Sequence, residues 1–176
     1  MKCLIISYSL TGNNKKLAES LATIFPAEHI TITETKNRTM GTIVLDILFN
    51  RTPKINMPIV KPGEYDLIIF IGPVWMGHIA TPFRNCFKRF RQKIDKYAYV
   101  SISGGADGPN PKLAGELKKR LGKEPISVID MHIADLLPKE PKPTRDDTMK
   151  YRINESEVKS LTQTIQSELN DIITVR

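Results

Sequence analysis

Ser7-Tyr8-Ser9-Leu10-Thr11-Gly12-Asn13-Asn14 follows an apolar run, Cys3-Leu4-Ile5-Ile6, and precedes an amphipathic stretch. In that stretch Leu17, Ala18, Leu21, Ile24 and Phe25 recur at spacings of three and four, the period of a helix with one buried face. Residues 2–8 therefore read as a buried strand and residues 13–25 as the first helix, stopped by Pro26. At such a strand-to-helix turn the first helical N–H groups have no intrahelical partners, and the peptide dipoles add partial positive charge. Hydroxyl, glycine and amide residues crowd the turn, so the place suits an anion, a phosphate above all.

Working outward, residues 28–34 alternate, with Ile30 and Ile32 against Thr31 and Thr33, as a second strand nearer an edge. Residues 40–49, MGTIVLDILF, are apolar on nearly every side and read as a helix. That helix is either a buried crossover or a surface patch covered by a second copy of the chain. Pro53, Pro58 and Pro62-Gly63 punctuate an irregular connection. The continuous apolar run DLIIFI at 66–71 is expected of a central parallel strand buried on both faces, and it ends at Gly72-Pro73. Thr81 then reads as the cap of a helix starting at Pro82, with Phe83, Phe87 and Phe90 inward and Arg84, Lys88, Arg89 and Arg91 on a basic face.

Residues 97–103 form a fourth strand that ends in Gly104-Gly105-Ala106-Asp107-Gly108, where Asp107 reads as a turn residue. Asn110-Pro111 open a helix with Leu113, Ala114, Leu117 and Leu121 inward and Gly122 just past its end. Residues 125–130 are the fifth strand. Asn154-Glu155-Ser156-Glu157 has a capping-box arrangement, and the helix it opens turns Val158, Leu161, Ile165, Leu169 and Ile172 inward. Strands alternating with helices give an α/β fold, a doubly wound parallel sheet of five strands in one domain over residues 1–176. The proline-rich segment 131–153 does not fit a plain crossover and is expected to be an irregular excursion that packs on the sheet edge or reaches toward the site.

Hydrophobic residues at 40% and charged residues at 26% of a 176-residue chain describe a globular domain with a real core. No apolar run approaches the ~20 residues that cross a bilayer, and the chain enters its first strand without a signal-like segment, so a cytoplasmic location without a membrane partner is expected. The two cysteines, Cys3 and Cys86, are expected to be free buried thiols, too few for structural zinc or an iron–sulfur cluster. The net charge of +7 would attract acidic partners or nucleic acid, but a solvated basic surface is its commoner cause.

Three loops leave the carboxyl ends of central strands: 9–14, 73–80 and 103–110. Ligands of open parallel sheets bind at those ends. The first loop lacks G-x-x-x-x-G-K-S/T and G-x-G-x-x-G, which argues against the usual mononucleotide and dinucleotide phosphate loops. A phosphorylated receiver is also excluded, because Ser7 and Gly72 stand where its acidic residues would be. Hydroxyls, an amide and free N–H groups without a cation suit one terminal phosphate held by neutral donors.

Ser9-Leu10-Thr11-Gly12-Asn13-Asn14 resembles the flavodoxin phosphate loop, Ser/Thr-x-Thr-Gly-x-Thr/Asn. Gly72-Pro73-Val74-Trp75-Met76-Gly77-His78 resembles the flavin-contacting second loop of flavodoxin-like proteins, and Ser101-Ile102-Ser103-Gly104-Gly105 their third. The three motifs occur in order over residues 2–130. The resemblance implies the strand order 2-1-3-4-5 and FMN as cofactor. It implies that Ser9, Thr11, Gly12, Asn13 and Asn14 hold the FMN phosphate through backbone N–H groups and hydroxyl or amide donors. Pro73, Val74, Trp75, Met76, Gly77 and His78 would form the wall beside the ring, with Trp75 against the isoalloxazine and the Met76-Gly77 peptide near its reactive nitrogen. Ser103, Gly104 and Gly105 would face the pyrimidine edge.

Two departures matter. Flavodoxins are usually acidic, whereas this chain is at +7, and its third loop carries no aromatic to cover the second flavin face. The expected role is an electron shuttle or a flavin-dependent oxidoreductase of the NAD(P)H or quinone type. Its partners would be a redox protein or a small-molecule electron acceptor, with NAD(P)H as a possible donor. A basic binding module without flavin, using Arg84, Lys88, Arg89, Arg91, Lys93 and Lys96 toward an acidic protein or nucleic acid, is the alternative, with nucleic acid the weaker case.

Overall fold

The apolar runs become strands, and the amphipathic stretches become helices laid on both faces of them. In chain order the elements are β1 (Cys3–Ser7), α1 (Asn13–Ile24), β2 (Ala27–Thr31), α2 (Met40–Leu48), β3 (Leu67–Ile71), β4 (Val74–Trp75), β5 (His78–Ile79), α3 (Phe83–Phe90), β6 (Tyr97–Ser103), α4 (Leu113–Leu121), β7 (Ser127–His132), α5 (Arg145–Lys150) and α6 (Glu155–Thr174). The computed structural model describes residues 1–36, 38–105, 108 and 110–174, with side chains as far as residue 170. Asp107 and the side chain of Ile172 lie outside those described residues.

Five strands pair in parallel in the order β2-β1-β3-β6-β7, with Ser7 opposite Thr31 on one side and Ile71 on the other. Counting only the strands of this sheet, that is the expected order 2-1-3-4-5. The connections leave β1 in one direction and β3 in the other, which opens a crevice at their carboxyl ends. Side chains alternate along β1, so Leu4 and Ile6 pack with Phe83, Phe87 and Leu117 on one face. Cys3 and Ile5 pack with Leu17, Leu21 and Ile165 on the other. Asn154 and Glu157 cap α6 reciprocally, Asn154 N–H to Glu157 Oε2 at 2.8 Å and Glu157 N–H to Asn154 Oδ1 at 3.0 Å, and Gly122 takes the left-handed φ of +82° after α4.

The two thiols are free and buried, and they sit in opposite core layers. Burial pushes Cys3 up to about 11 and Cys86 up to about 12, so neither is a thiolate near neutrality. At pH 8 iodoacetamide is expected to leave both unmodified in the folded chain and to alkylate both in guanidinium chloride. Rapid native labelling of Cys86 would show that α3 opens easily.

Three expectations change on contact with the fold. Of α2 only Ile43 and Asp46 are buried, while Met40, Leu45, Leu48 and Phe49 are exposed, so it is not a buried crossover helix. Asp46 turns inward because it accepts from Arg38 Nη1 at 2.7 Å and Thr81 Oγ1 at 3.3 Å. The Thr81 hydroxyl is thereby diverted from capping α3, which starts without a side-chain cap. Arg84 does not belong to the basic face: it is 6% exposed, and its Nη1 donates to the carbonyls of Asp46 and Arg51, each at 2.8 Å.

Candidate functional site

The first loop is shaped by Gly12, whose φ of +93° is favoured by glycine and whose missing Cβ would meet nothing within 4 Å. Ser9 Oγ accepts from the Gly12 N–H at 3.0 Å and closes the turn. Gly12 is the N-cap of α1 and supplies no side chain, so the helix begins without a side-chain cap. Its first backbone bond is Lys16 N–H to Gly12 C=O at 3.0 Å; among the described residues, no hydrogen bond takes the N–H of Thr11, Asn13, Asn14 or Lys15. Those groups at a dipole's positive end are what an anion needs.

The amides of Asn13 and Asn14 are used elsewhere. Asn14 Nδ2 donates to the Ile102 carbonyl at 2.8 Å, and its Oδ1 accepts the Ile102 N–H at 3.0 Å. Asn13 Nδ2 donates to the Tyr151 carbonyl at 3.0 Å, and its Oδ1 accepts the Ile153 N–H at 3.2 Å. Each amide thus forms a structural clamp, one to β6 and one to the segment before α6, which spends one N–H of each Nδ2 and leaves the second amide N–H and the backbone N–H.

The second loop is a hairpin that the sequence does not announce. β4 and β5 pair Val74 with Ile79 and Trp75 with His78, and Met76 and Gly77 turn at φ +49° and +78°. Positive φ at both central residues marks a type I′ turn, with Met76 held where few non-glycine residues go. The Tyr99 hydroxyl anchors the base of the loop by donating to Gly72 C=O at 2.8 Å. Trp75 is half-buried, with the Tyr8 ring edge-on at 5.7 Å and the Arg38 guanidinium 5.5 Å from its ring centre. Arg38 is fixed by ion pairs to Glu34 and Asp46, and Glu34 also accepts from the Tyr8 hydroxyl at 2.9 Å. Burial first, then the Glu34 carboxylate, push the Tyr8 phenol far above its ordinary range, so it stays a protonated donor.

In the third loop, a Cβ on Gly104 would lie 2.9 Å from Thr148 Oγ1, and one on Gly105 would lie 2.2 Å from His132 Cβ. The glycines let the loop close against β7 and α5.

The three loops line one cleft of about 650 Å³ at the carboxyl ends of β1, β3 and β6. Leu10, Thr11, Asn13 and Asn14 come from the first loop, Pro73, Val74, Trp75, Met76 and Gly77 from the second, and Ser103, Gly104 and Gly105 from the third. Ser9 and Gly12 shape the turn of the first loop without lining the cleft wall. His78 does not join it: the exposed ring turns toward α4, with Nδ1 3.5 Å from Glu116 Oε2.

The wall has further parts that the sequence does not assign to it. Met40 and Ile43 of α2, Asp130 and His132 of β7, and Arg145, Thr148 and Met149 of α5 all face it. Within 131–153, His132, Ile133, Arg145, Thr148 and Met149 line the cleft, and the segment carries the end of β7 and the helix α5, so it is not irregular throughout. The pair Thr144 and Asp147, three apart and reciprocally bonded at the start of α5, was the signal that could have found it. Asp130 Oδ1 is buried without a hydrogen-bond partner, while its Oδ2 lies 3.2 Å from His132 Nε2.

No protein-family model and no curated protein matches the sequence. Solved structures do. A flavoprotein from Lactobacillus acidophilus, crystallised in complex with FMN, is 24% identical with a TM-score of 0.65, over 73% of this chain and 92% of its own. The apo-form of the flavoprotein from the same organism is 20% identical with a TM-score of 0.58, over 85% and 97%. A provisionally named flavoprotein from Bacteroides eggerthii is 16% identical with a TM-score of 0.64, over 94% and 98%. With the parallel sheet order β2-β1-β3-β6-β7, these likenesses identify the chain as having the flavodoxin-like α/β fold.

Proposed function

We propose that this chain binds FMN in the three-loop cleft and works as a flavodoxin-like redox protein, in electron transfer or as a flavin-dependent oxidoreductase. The observation that carries this reading is the convergence of three loops on a single cleft whose ends differ in chemistry. One end offers the unbonded N–H groups of Thr11, Asn13 and Asn14 at an uncapped helix start, which fits a phosphate. The other offers the Trp75 ring and the small residues Gly77, Gly104 and Gly105, which fit a flat ring, and Asp130 Oδ1 is an acceptor there without a partner. The volume of about 650 Å³ lies inside the usual range for cofactor sites.

FMN bound there would supply the redox chemistry, accepting and passing on electrons. The chain's own residues orient it and exclude water. Thr11, Asn13 and Asn14 donate at the phosphate end. Trp75, immobilised by Tyr8 and Arg38, presents an aromatic wall whose orientation is fixed before the ligand arrives. Donor and acceptor on this reading are a redox protein or a small molecule, NAD(P)H among them.

Adding FMN to the purified chain is expected to show saturable one-to-one uptake, with quenching of the emission of Trp75, its single tryptophan. Trp75→Leu is expected to weaken FMN binding by about 2- to 12-fold, the worth of roughly 0.5–1.5 kcal/mol of aromatic contact. Failure of the unaltered chain to take up FMN overturns the reading. Steady quinone reduction by the FMN-loaded chain with NADH or NADPH selects the enzyme, and its absence selects the shuttle.

A further inference from the structure

A second concavity, of about 860 Å³, lies on the other side of the β4–β5 hairpin, between α3 and α4. Arg84, Lys88, Arg91, Lys112, Lys119 and Arg120 line it against one acid, Glu116. That acid is already engaged: Oε1 accepts from Arg120 Nε at 2.7 Å, and Oε2 accepts the Ile79 N–H at 3.1 Å. Arg91 finds only carbonyls, those of Lys119 at 2.7 Å and Arg120 at 3.2 Å. Among the described residues, Lys88, Lys112 and Lys119 make no ion pair.

Exposed lysines alone would describe a solvated face, but Arg84 does not fit that description. It is nine-tenths buried, bonds only to carbonyls and leaves Nε without a partner. Burial, and then the charge of Arg120, hold its guanidinium below the usual range. The Glu116 and Asp46 carboxylates act on it only through space and neither pairs with it directly; a buried cation so placed beside a like charge gains from a further anion.

We propose that this groove binds a phosphorylated nucleotide, with the phosphates on these cations and the base on the apolar surface of Ile47 and Met76. Its concavity and volume match small-molecule sites better than a flat protein face. Met76, Gly77 and Asn110 line both this groove and the three-loop cleft, so a nucleotide here rests against the hairpin wall of the cleft read as the FMN site. The nucleotide site stands independently of whether FMN is bound.

Calorimetric titration of NADPH, ADP and inorganic pyrophosphate, each with and without saturating FMN, tests it. NADPH and ADP are expected to bind one-to-one in both conditions, and pyrophosphate more weakly. Reversing two exposed charges together, Lys88→Glu and Lys119→Glu, is expected to weaken nucleotide binding by roughly tenfold or more, and added salt to weaken it further. The same variant should keep its melting temperature and FMN uptake, since neither lysine packs in the core or lines the cleft. NADPH above ADP in affinity marks nicotinamide donors; equal affinities mark adenine nucleotides in general. No nucleotide binding, binding unchanged in the variant, or pyrophosphate binding as tight as ADP overturns the proposal. FMN uptake is read from its own spectrum, so the two readings fail separately.

Discussion

Replacing Asn14 with leucine is expected to lower the melting temperature by on the order of 10 °C and to weaken FMN binding roughly tenfold or more. Asn14 is 2% exposed, and its amide satisfies both the N–H and the C=O of Ile102. Leucine has similar volume but neither donor nor acceptor, so two buried backbone groups lose their partners at about 1–3 kcal/mol each. The loss also has a direction. Asn14 belongs to the start of α1 and Ile102 to the end of β6, so this pair of bonds sets the distance between the first loop and the third. A site that must grip both ends of one ligand depends on that distance. Thermal unfolding of the apo chain reads the first effect, and FMN titration followed by Trp75 emission reads the second. An unchanged melting temperature would remove the clamp from the account. A lower one with unchanged FMN affinity would show that the ligand does not span the two loops.

The same residue shows what a sequence conceals. The glycines, hydroxyls and amides of residues 9–14 mark a strand-to-helix anion turn because that chemistry is local, carried by a few consecutive residues. The partners of the two amides are not local: Asn14 reaches Ile102 and Asn13 reaches Tyr151 and Ile153. Only the fold brings those segments together, so the sequence shows two amides beside an anion turn and not the clamp that each of them also forms. His78 illustrates the converse. It follows Gly77 in a loop of the expected kind, but its carboxylate partner Glu116 lies on α4 and draws it to the other side of the hairpin.

Arg84 reads in the sequence as part of the basic face of α3, and the fold buries it. It stands next to Phe83, about 100° around α3 from it, on the flank of the buried stripe, so helical periodicity alone does not place it inward. Arginine is read as exposed by default because burying its charge is costly; here two backbone carbonyls accept its protons. The two core layers, by contrast, are readable because continuous apolar runs have one stable arrangement, a sheet covered on both faces; the strand order is implied by the resemblance of the three loops to those of flavodoxins and not by the runs themselves.

Gly105→Ala is the second substitution with a large expected effect, a loss of about 2–5 kcal/mol together with impaired FMN uptake. Part of the loss is conformational: Gly105 has φ +71°, where an L side chain costs about 1–2 kcal/mol. The rest is steric. The new methyl would lie 2.2 Å from the Cβ of His132, an atom that shortening His132 to alanine would leave in place, so either the third loop or the end of β7 has to move. Either movement shifts a wall of the cleft, since Gly105 and His132 both line it. Gly104→Ala is the control, because its neighbour is the Thr148 hydroxyl at 2.9 Å. That group can rotate away by giving up its bond to the Arg145 carbonyl, 3.1 Å long, so the expected loss is about 1 kcal/mol. The ordering, not the absolute size, is the test. If Gly104→Ala harms stability and FMN uptake more than Gly105→Ala does, the third loop is not held against β7 in the way its contacts with His132 require.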